Sequence, residues 1–388
     1  MPEPDANAMR QLLRELAEIN SGTDHVAGVD AVCDRFMKEI EPLADDVEVV
    51  PLPPREVVDD RGNVATRPVA AGAVVRKRAT AKRCVLLSAH LDTVFPKDSP
   101  FQRVREIDAN TWNGPGVADL KGGLVVMLHA LRMFEETSPE LGWTVVLNTD
   151  EEVGSPSSTE LLQSLAREHD YGLVYEPALA DGRLAGARGG SANFDLVIRG
   201  KSAHVGRAFE EGRSAIHQAA EAVGVLASLN AAEGVTVNVG KIDGGGPSNQ
   251  VADVAVVRLN VRVADSEKQE AIENDLRRLA FVIGRRDGFS AELHGKFFSP
   301  PKPMTPEAQQ LFDRVKTCGV DLGLDISWSP TGGVCDGNKL QAAGLPTIDT
   351  LGVRGGNLHS DAEFVLLDSL PERAKLSAAV LASLASNP

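Results

Sequence analysis

The chain has 388 residues, with 40 Lys+Arg against 55 Asp+Glu and a formal net charge of −15. A hydrophobic fraction of 43% is ample for a buried core and excludes wholesale disorder, while the length suits two to three domains of roughly 150 residues. The acidic balance argues against nucleic acid or an anionic membrane as the main partner, and 4% aromatics are too few for a stacking platform.

The segment Met1-Pro2-Glu3-Pro4-Asp5 has neither the basic nor the apolar region of a signal peptide. No apolar run reaches the roughly 18 residues of a membrane helix. Cys33, Cys84, Cys318 and Cys335 are scattered without a CxxC pair, which suits reduced thiols in a cytoplasmic protein.

Residues 7–20 set Leu12, Leu13, Leu16 and Ile19 on one stripe at helical spacing, and residues 30–40 repeat the pattern. Residues 84–89 form a short apolar run, expected of a strand buried on both faces, that ends in His90-Leu91-Asp92-Thr93. A glycine-rich loop, residues 114–123, then opens a helix through Leu124, Leu128 and Leu131. Residues 143–148 are a second buried strand ending in Thr149-Asp150-Glu151-Glu152, and residues 173–175 a third ending in Glu176-Pro177. In an open α/β sheet, ligands sit beyond the carboxyl ends of the strands.

Near Gly189 the pattern changes. Residues 192–198, 235–239, 253–263 and 291–298 read as alternating strands, with helices over 213–229 and 267–283. This β-α-β-β-α-β order predicts a small ferredoxin-like sandwich. The helix–strand pattern resumes after Pro300, with residues 347–350 as a strand. The expected organisation is an α/β catalytic domain in two pieces, 1–188 and 299–388, interrupted by an inserted α+β domain over 189–298.

The polar residues at these ends form an inventory of metal donors. His90 and Asp92, two apart at a strand end, point to one face, and the carboxylate can fix the imidazole tautomer from behind. Asp119 lies at a glycine turn and can bridge two cations. Adjacent Glu151 and Glu152 point apart, so one can bind metal while the other acts on water. Glu176 and His359 complete a mixed N/O set that suits Zn²⁺. A pair of such ions about 3.5–4 Å apart acidifies a shared water and polarises an amide carbonyl. Cys335 reads as a small buried residue rather than a nucleophile, because no histidine lies locally to activate it. His129 and His217 fall inside helical patterns as packing or surface residues.

Six motifs carry a resemblance: His90-Leu91-Asp92-Thr93-Val94; residues 114–123; Asp150-Glu151-Glu152-Val153-Gly154-Ser155; Glu176-Pro177; Lys201-Ser202-Ala203-His204-Val205-Gly206; and Leu358-His359-Ser360-Asp361. In this order, over nearly the whole chain, they resemble the M20 metallopeptidase family, in particular its glutamate carboxypeptidase (carboxypeptidase G) branch and its acetylornithine deacetylase and succinyl-diaminopimelate desuccinylase branches.

The resemblance implies a zinc-dependent exopeptidase-like fold with a lid and dimerisation domain. It implies two Zn²⁺ per subunit, with Co²⁺ or Mn²⁺ as substitutes. Asp119 would bridge the ions, with His90 and Glu176 on one and Glu152 and His359 on the other. Glu151 would be the general base, Asp92 the support of His90, and His204 an oxyanion donor that often serves the partner subunit of a homodimer. The Asp119–Leu120 peptide falls where the family has a cis bond. Asn249 and Arg262 would contact the substrate, Arg262 gripping a free carboxylate, and Gly333 lies in the loop lining the specificity pocket. Lys296 stands where an arginine is expected in the glutamate carboxypeptidases.

The function implied is hydrolysis of an amide beside a free carboxylate in a small peptide or N-acyl amino acid. The alternatives are a dedicated N-acyl amino acid deacylase, a manganese-dependent amidohydrolase, and a non-catalytic binding protein on the same fold.

Overall fold

Burial on both faces explains the central sheet. In the computed structural model, which describes residues 3–137 and 139–386, every residue of the strands Cys84–His90 and Gly142–Asn148 is buried. These strands run parallel to each other, and Cys84–His90 also pairs in parallel with Tyr171–Val174. Thr347–Ile348 extends the parallel part, and Gly72–Lys77 and Asp46–Val50 close the opposite side as antiparallel strands.

Alternate side chains enter separate cores. Val85, Leu87 and Ala89 pack with the helices Ala6–Ala17, Lys121–Glu135 and Ser369–Ser386, whereas Leu86 packs with Leu162, Leu165 and Leu340 across the sheet. The first helix begins at the Asp5 cap, whose carboxylate accepts from the Asn7 and Ala8 amides, and stops at Ala17, three residues short of the sequence expectation. No helix among the described residues is long and apolar enough to cross a membrane.

A second sheet has its own core. Strands Gly190–Arg199, Val235–Gly244, Val254–Val263 and Ser290–Ser299 pair antiparallel in the spatial order second, third, first, fourth, as in a ferredoxin-like sandwich. Phe194, Leu196, Val257 and Leu259 face the helices Ala215–Ser228 and Ser266–Gly284. Asn193, Asp195, Arg258 and Lys296 instead line a cavity of about 1120 Å³ that reaches Glu152 and Val153, just beyond the central strand Gly142–Asn148.

Two features had no periodic signal in the sequence. The hairpin of Arg55–Val58 and Val64–Arg67 reaches the second sheet, where Arg258 donates to the Val58 carbonyl at 2.9 Å and Arg199 to the Gly62 carbonyl at 2.8 Å. Gly62 has φ +73°, and a Cβ there would lie 2.4 Å from Val197 Cγ1, so the turn needs glycine. The other is a small sheet of Arg105–Glu106, Thr111–Asn113, Phe364–Leu366 and Gly355–Gly356, which brings the 357–363 loop against the glycine-rich loop before Asp119.

Candidate metal centre and active site

The carboxyl ends of the parallel strands converge on one spot. His90 ends its strand opposite Asn148, Glu151–Val153 forms a short 3₁₀ turn just beyond the neighbouring strand, and Glu176 follows Tyr171–Val174. Asp119 precedes the helix Lys121–Glu135 and is joined to Leu120 by a cis peptide, where the resemblance puts one.

Asp119 faces two imidazoles. His90 Nε2 lies 3.2 Å from its Oδ1 and His359 Nε2 lies 3.3 Å from its Oδ2. Glu176 Oε1 lies 3.8 Å from His90 Nε2, and Glu152 Oε2 lies 3.3 Å from His359 Nε2. The donor atoms of His90, Asp119 and Glu176 lie within 4.8 Å of one another, as do those of Asp119, Glu152 and His359. Glu176 Oε1 is buried without a hydrogen-bond partner among the described residues. An unpartnered buried carboxylate oxygen aimed into two interlocking N/O triads fits a pair of cations, with Asp119 common to both.

The pocket's field is strongly negative. Burial and the nearby Glu176 carboxylate push the Glu151 carboxyl well up, burial and Asp119 push Glu152 up to about 7, and burial and Asp119 push Glu176 up to about 8. Hydrogen bonds to Asp119 and Glu152 raise His359 to about 11. His90 is also held well up: burial opposes its charge, but Asp119 and Asp92 outweigh it. Asp119 itself is held low against burial by the His359 and His90 rings. A site that favours positive charge this strongly suits cation binding.

Asp92 does more than the sequence indicates. His90 Nδ1 lies 3.0 Å from the Asp92 backbone carbonyl and 3.4 Å from its carboxylate, so the main chain is the nearer partner. The carboxylate is occupied elsewhere. It accepts from the amides of Glu151 and Glu152, both at 3.2 Å, and from Thr23 Oγ1 at 2.7 Å. The carboxylate of Glu151 makes no hydrogen bond among the described residues, and the residue as a whole is only partly buried.

The other expected residues lie farther out. Arg262 donates to the Asn260 side chain at 3.0 Å and to the Gly332 carbonyl at 3.2 Å, and no described carboxylate lies within ion-pair reach of it. Gly333 sits in the same turn, its carbonyl held by Arg188 at 3.0 Å. His204 and Asn249 are exposed on adjoining loops of the second unit. His204 caps the short helix Val205–Ala208, and the Asn249 carbonyl accepts from the Val205 amide. Within one chain neither joins the donor cluster. Lys296 Nζ lies 4.9 Å from the centre of the Phe298 ring. Cys335 is buried as a helix cap, and burial pushes its thiol well up, which suits packing rather than nucleophilic chemistry. His129 is buried inside its helix and held down to about 4 by burial.

Several supporting residues escaped the sequence reading. Asp336 accepts from Ser155 Oγ at 2.5 Å and Lys339 Nζ at 2.9 Å, bracing the 150–155 turn. Arg188 makes a two-pronged contact with Asp349, at 2.9 and 2.8 Å, beneath the 332–333 turn. Glu363 is 1% exposed and accepts from three amides of the Asp119 loop. Asp349 carried the signal that exposed the others, a carboxylate directly after an apolar strand. Glu363, four residues after His359, carried none beyond that spacing.

Comparison with known proteins gives the family. Residues 86–383 match the model of peptidase family M20/M25/M40. The chain is 30% identical to carboxypeptidase G2 of Pseudomonas sp. (strain RS-16), over 97% of this chain and 89% of that protein. It is 27% identical to a succinyl-diaminopimelate desuccinylase of Maricaulis maris (strain MCS10), over 74% and 78% of the two chains. Its fold matches a dinuclear metal-binding M20 peptidase of Bacillus subtilis with a TM-score of 0.66, at 14% identity and 99% coverage of both chains. The protein belongs to the M20/M25/M40 peptidase family and is a hydrolase of the metallopeptidase and amidohydrolase type.

Proposed function

We propose that this enzyme is a di-zinc hydrolase that cleaves an amide bond next to a free carboxylate, in the manner of a carboxypeptidase acting on short peptides or N-acyl amino acids. The observation that carries the reading is the pair of donor triads joined at Asp119, with the Glu151 carboxyl near enough for Glu176 and His90 to act on its charge. Its assignments are His90, Asp119 and Glu176 to one cation and Asp119, Glu152 and His359 to the other. When bound, the cations supply Lewis acidity to a water and to the scissile carbonyl. Glu151 accepts the proton that the attacking water sheds and returns it to the departing nitrogen. Co²⁺ or Mn²⁺ can substitute for zinc in this reading.

Residues 189–298 act in this reading as a lid and dimerisation unit, inserted into a catalytic unit of residues 1–188 and 299–388. Arg262, half-buried and without a carboxylate partner among the described residues, receives the substrate's free carboxylate, with Asn249 and the Gly333 turn beside it. The 30% identity to carboxypeptidase G2 over 97% of this chain favours the carboxypeptidase reading over a small-acyl deacylase. Four free cysteines suit a reducing cytoplasm. His204, exposed and outside its own chain's donor cluster, serves the partner subunit's centre as the oxyanion donor.

The test uses two inactive variants. Glu151→Gln lowers kcat by about 10²–10⁴-fold while both zinc ions stay bound. His204→Ala lowers kcat at unchanged zinc content. Mixed dimers of the two recover activity that neither homodimer has, because one centre then holds both side chains. A Glu151→Gln variant with near wild-type kcat removes the base, and mixing without recovery removes the partner role of His204. Separately, Arg262→Ala raises KM for carboxylate substrates by about 10–100-fold, the worth of a charge-assisted hydrogen bond. An equal rise for the matching carboxamides makes that arginine structural.

A further inference from the structure

The glycine-rich loop that delivers Asp119 is shaped around an anion. Gly116 has φ +70°, and the amides of Gly116, Ala118 and Asp119 turn toward one point. Converging main-chain amides of this kind form an anion-binding concavity. Its occupant is the Glu363 carboxylate: Gly116 N donates to Oε2 at 3.2 Å, and Ala118 N and Asp119 N donate to Oε1 at 2.9 and 3.1 Å.

Glu363 also belongs to the loop that carries His359. Its own carbonyl accepts from Asn113 Nδ2 at 2.7 Å and from the Gly114 amide at 3.3 Å, and Asn113 Nδ2 reaches the Asp361 carbonyl at 2.9 Å. The next residue, Phe364, pairs with Asn113 in the small sheet. His359 itself needs such an anchor. Its ring is 57% exposed, and its backbone has φ +62°, a left-handed conformation that is unfavourable for a non-glycine residue and persists only when its surroundings impose it.

We propose that Glu363 is a positioning residue for the metal centre, one that sets the bridging Asp119 and the outer ligand His359 at a fixed separation before any cation arrives. This rests on the two-cation reading of the site and adds to it a residue that touches no cation. Outer residues of this kind matter because a ligand held in place does not lose its freedom on binding.

Glu363→Gln keeps the size but replaces one acceptor oxygen with an amide donor that faces main-chain donors. The purified variant is titrated in zinc-buffered solution and, in parallel, with Co²⁺, whose visible absorption reports ligand geometry. The expected result is a 10–100-fold loss of affinity for the outer ion, the one assigned to Asp119, Glu152 and His359, a smaller loss for the inner one, assigned to His90, Asp119 and Glu176, and an altered cobalt band from the outer site. A lower melting temperature of the metal-free variant, with both affinities and the cobalt spectrum as in wild type, makes Glu363 a structural residue and overturns the proposal. Wild-type protein that takes up no zinc defeats the two-cation reading instead, so the two failures differ.

A second measurement needs no variant. In metal-free wild-type protein the amides of residues 116, 118 and 119 exchange slowly with solvent deuterium, because Glu363 alone protects them. Protection that arises only when zinc is added shows that the cations shape this loop, and overturns the proposal even where the variant does not fold.

Discussion

The two donor triads share Asp119 yet are built differently. His90, Asp119 and Glu176 are all buried, and His90 and Glu176 are placed by adjacent parallel strands of a sheet covered on both faces. Glu152 and His359 come from a short turn and a loop, and the His359 ring is more than half exposed. A ligand at a strand end inherits the rigidity of the sheet. A ligand on a loop depends on whatever anchors the loop, here Glu363 and Asn113. In the proposed two-cation reading, the inner triad of His90, Asp119 and Glu176 is accordingly the rigid seat, and the outer triad of Asp119, Glu152 and His359 the one whose occupancy and geometry yield more easily.

This contrast predicts a strict order of metal loss. The largest effect belongs to His90→Ala, which leaves Asp119 and Glu176 as buried carboxylates without their shared imidazole and so weakens both ions by orders of magnitude. His359→Ala removes an exposed ligand and releases the outer ion alone. Stepwise chelation of wild-type protein follows the same order, one equivalent leaving at low chelator and the second only under forcing conditions. Metal analysis of dialysed samples checks this. Equal retention in the two variants, or simultaneous release of both ions from wild type, breaks the comparison.

The same contrast governs what a reader of the sequence could see. The inner donors were legible because a strand buried on both faces writes a continuous apolar run, and the first polar residue after it marks the ligand-binding end of the sheet. The second sheet was legible from alternation, since one face meets its helices and the other the polar cleft. The small sheet of 105–113 and 355–366 was not. Its strands are two or three residues long, too short to show a period. Glu363 was invisible for a further reason, because its three amide partners lie 244 to 247 residues away and no local spacing encodes such a contact. The hairpin over 55–67 is largely exposed, so hydrophobic patterning says nothing about it. Among the catalytic candidates, what the motifs could not convey was the use of Asp92, which serves the main chain of Glu151 and Glu152 as much as the imidazole of His90.

That double use sets the limit of the inner–outer contrast and yields its smallest prediction. Thr23 Oγ1 donates to the same Asp92 oxygen that receives the Glu152 amide, while the other oxygen receives the Glu151 amide. Thr23→Val preserves shape and removes only the hydroxyl, leaving Asp92 with both main-chain donors. The carboxylate then gains freedom that is felt on one side by His90, a proposed inner ligand, and on the other by Glu152, a proposed outer one. Zinc-buffered titration therefore shows both affinities falling together, by about tenfold at most, the lower end of what outer hydrogen-bond partners of metal ligands contribute. Stability falls by about 1–3 kcal/mol, as for a lost hydrogen bond to a buried charge. A loss confined to one ion makes Asp92 the servant of a single triad, and the two sites are then independent apart from Asp119. A joint loss makes Asp92 their second common anchor, so that the rigidity of the strand end reaches the outer site through the main chain of Glu152.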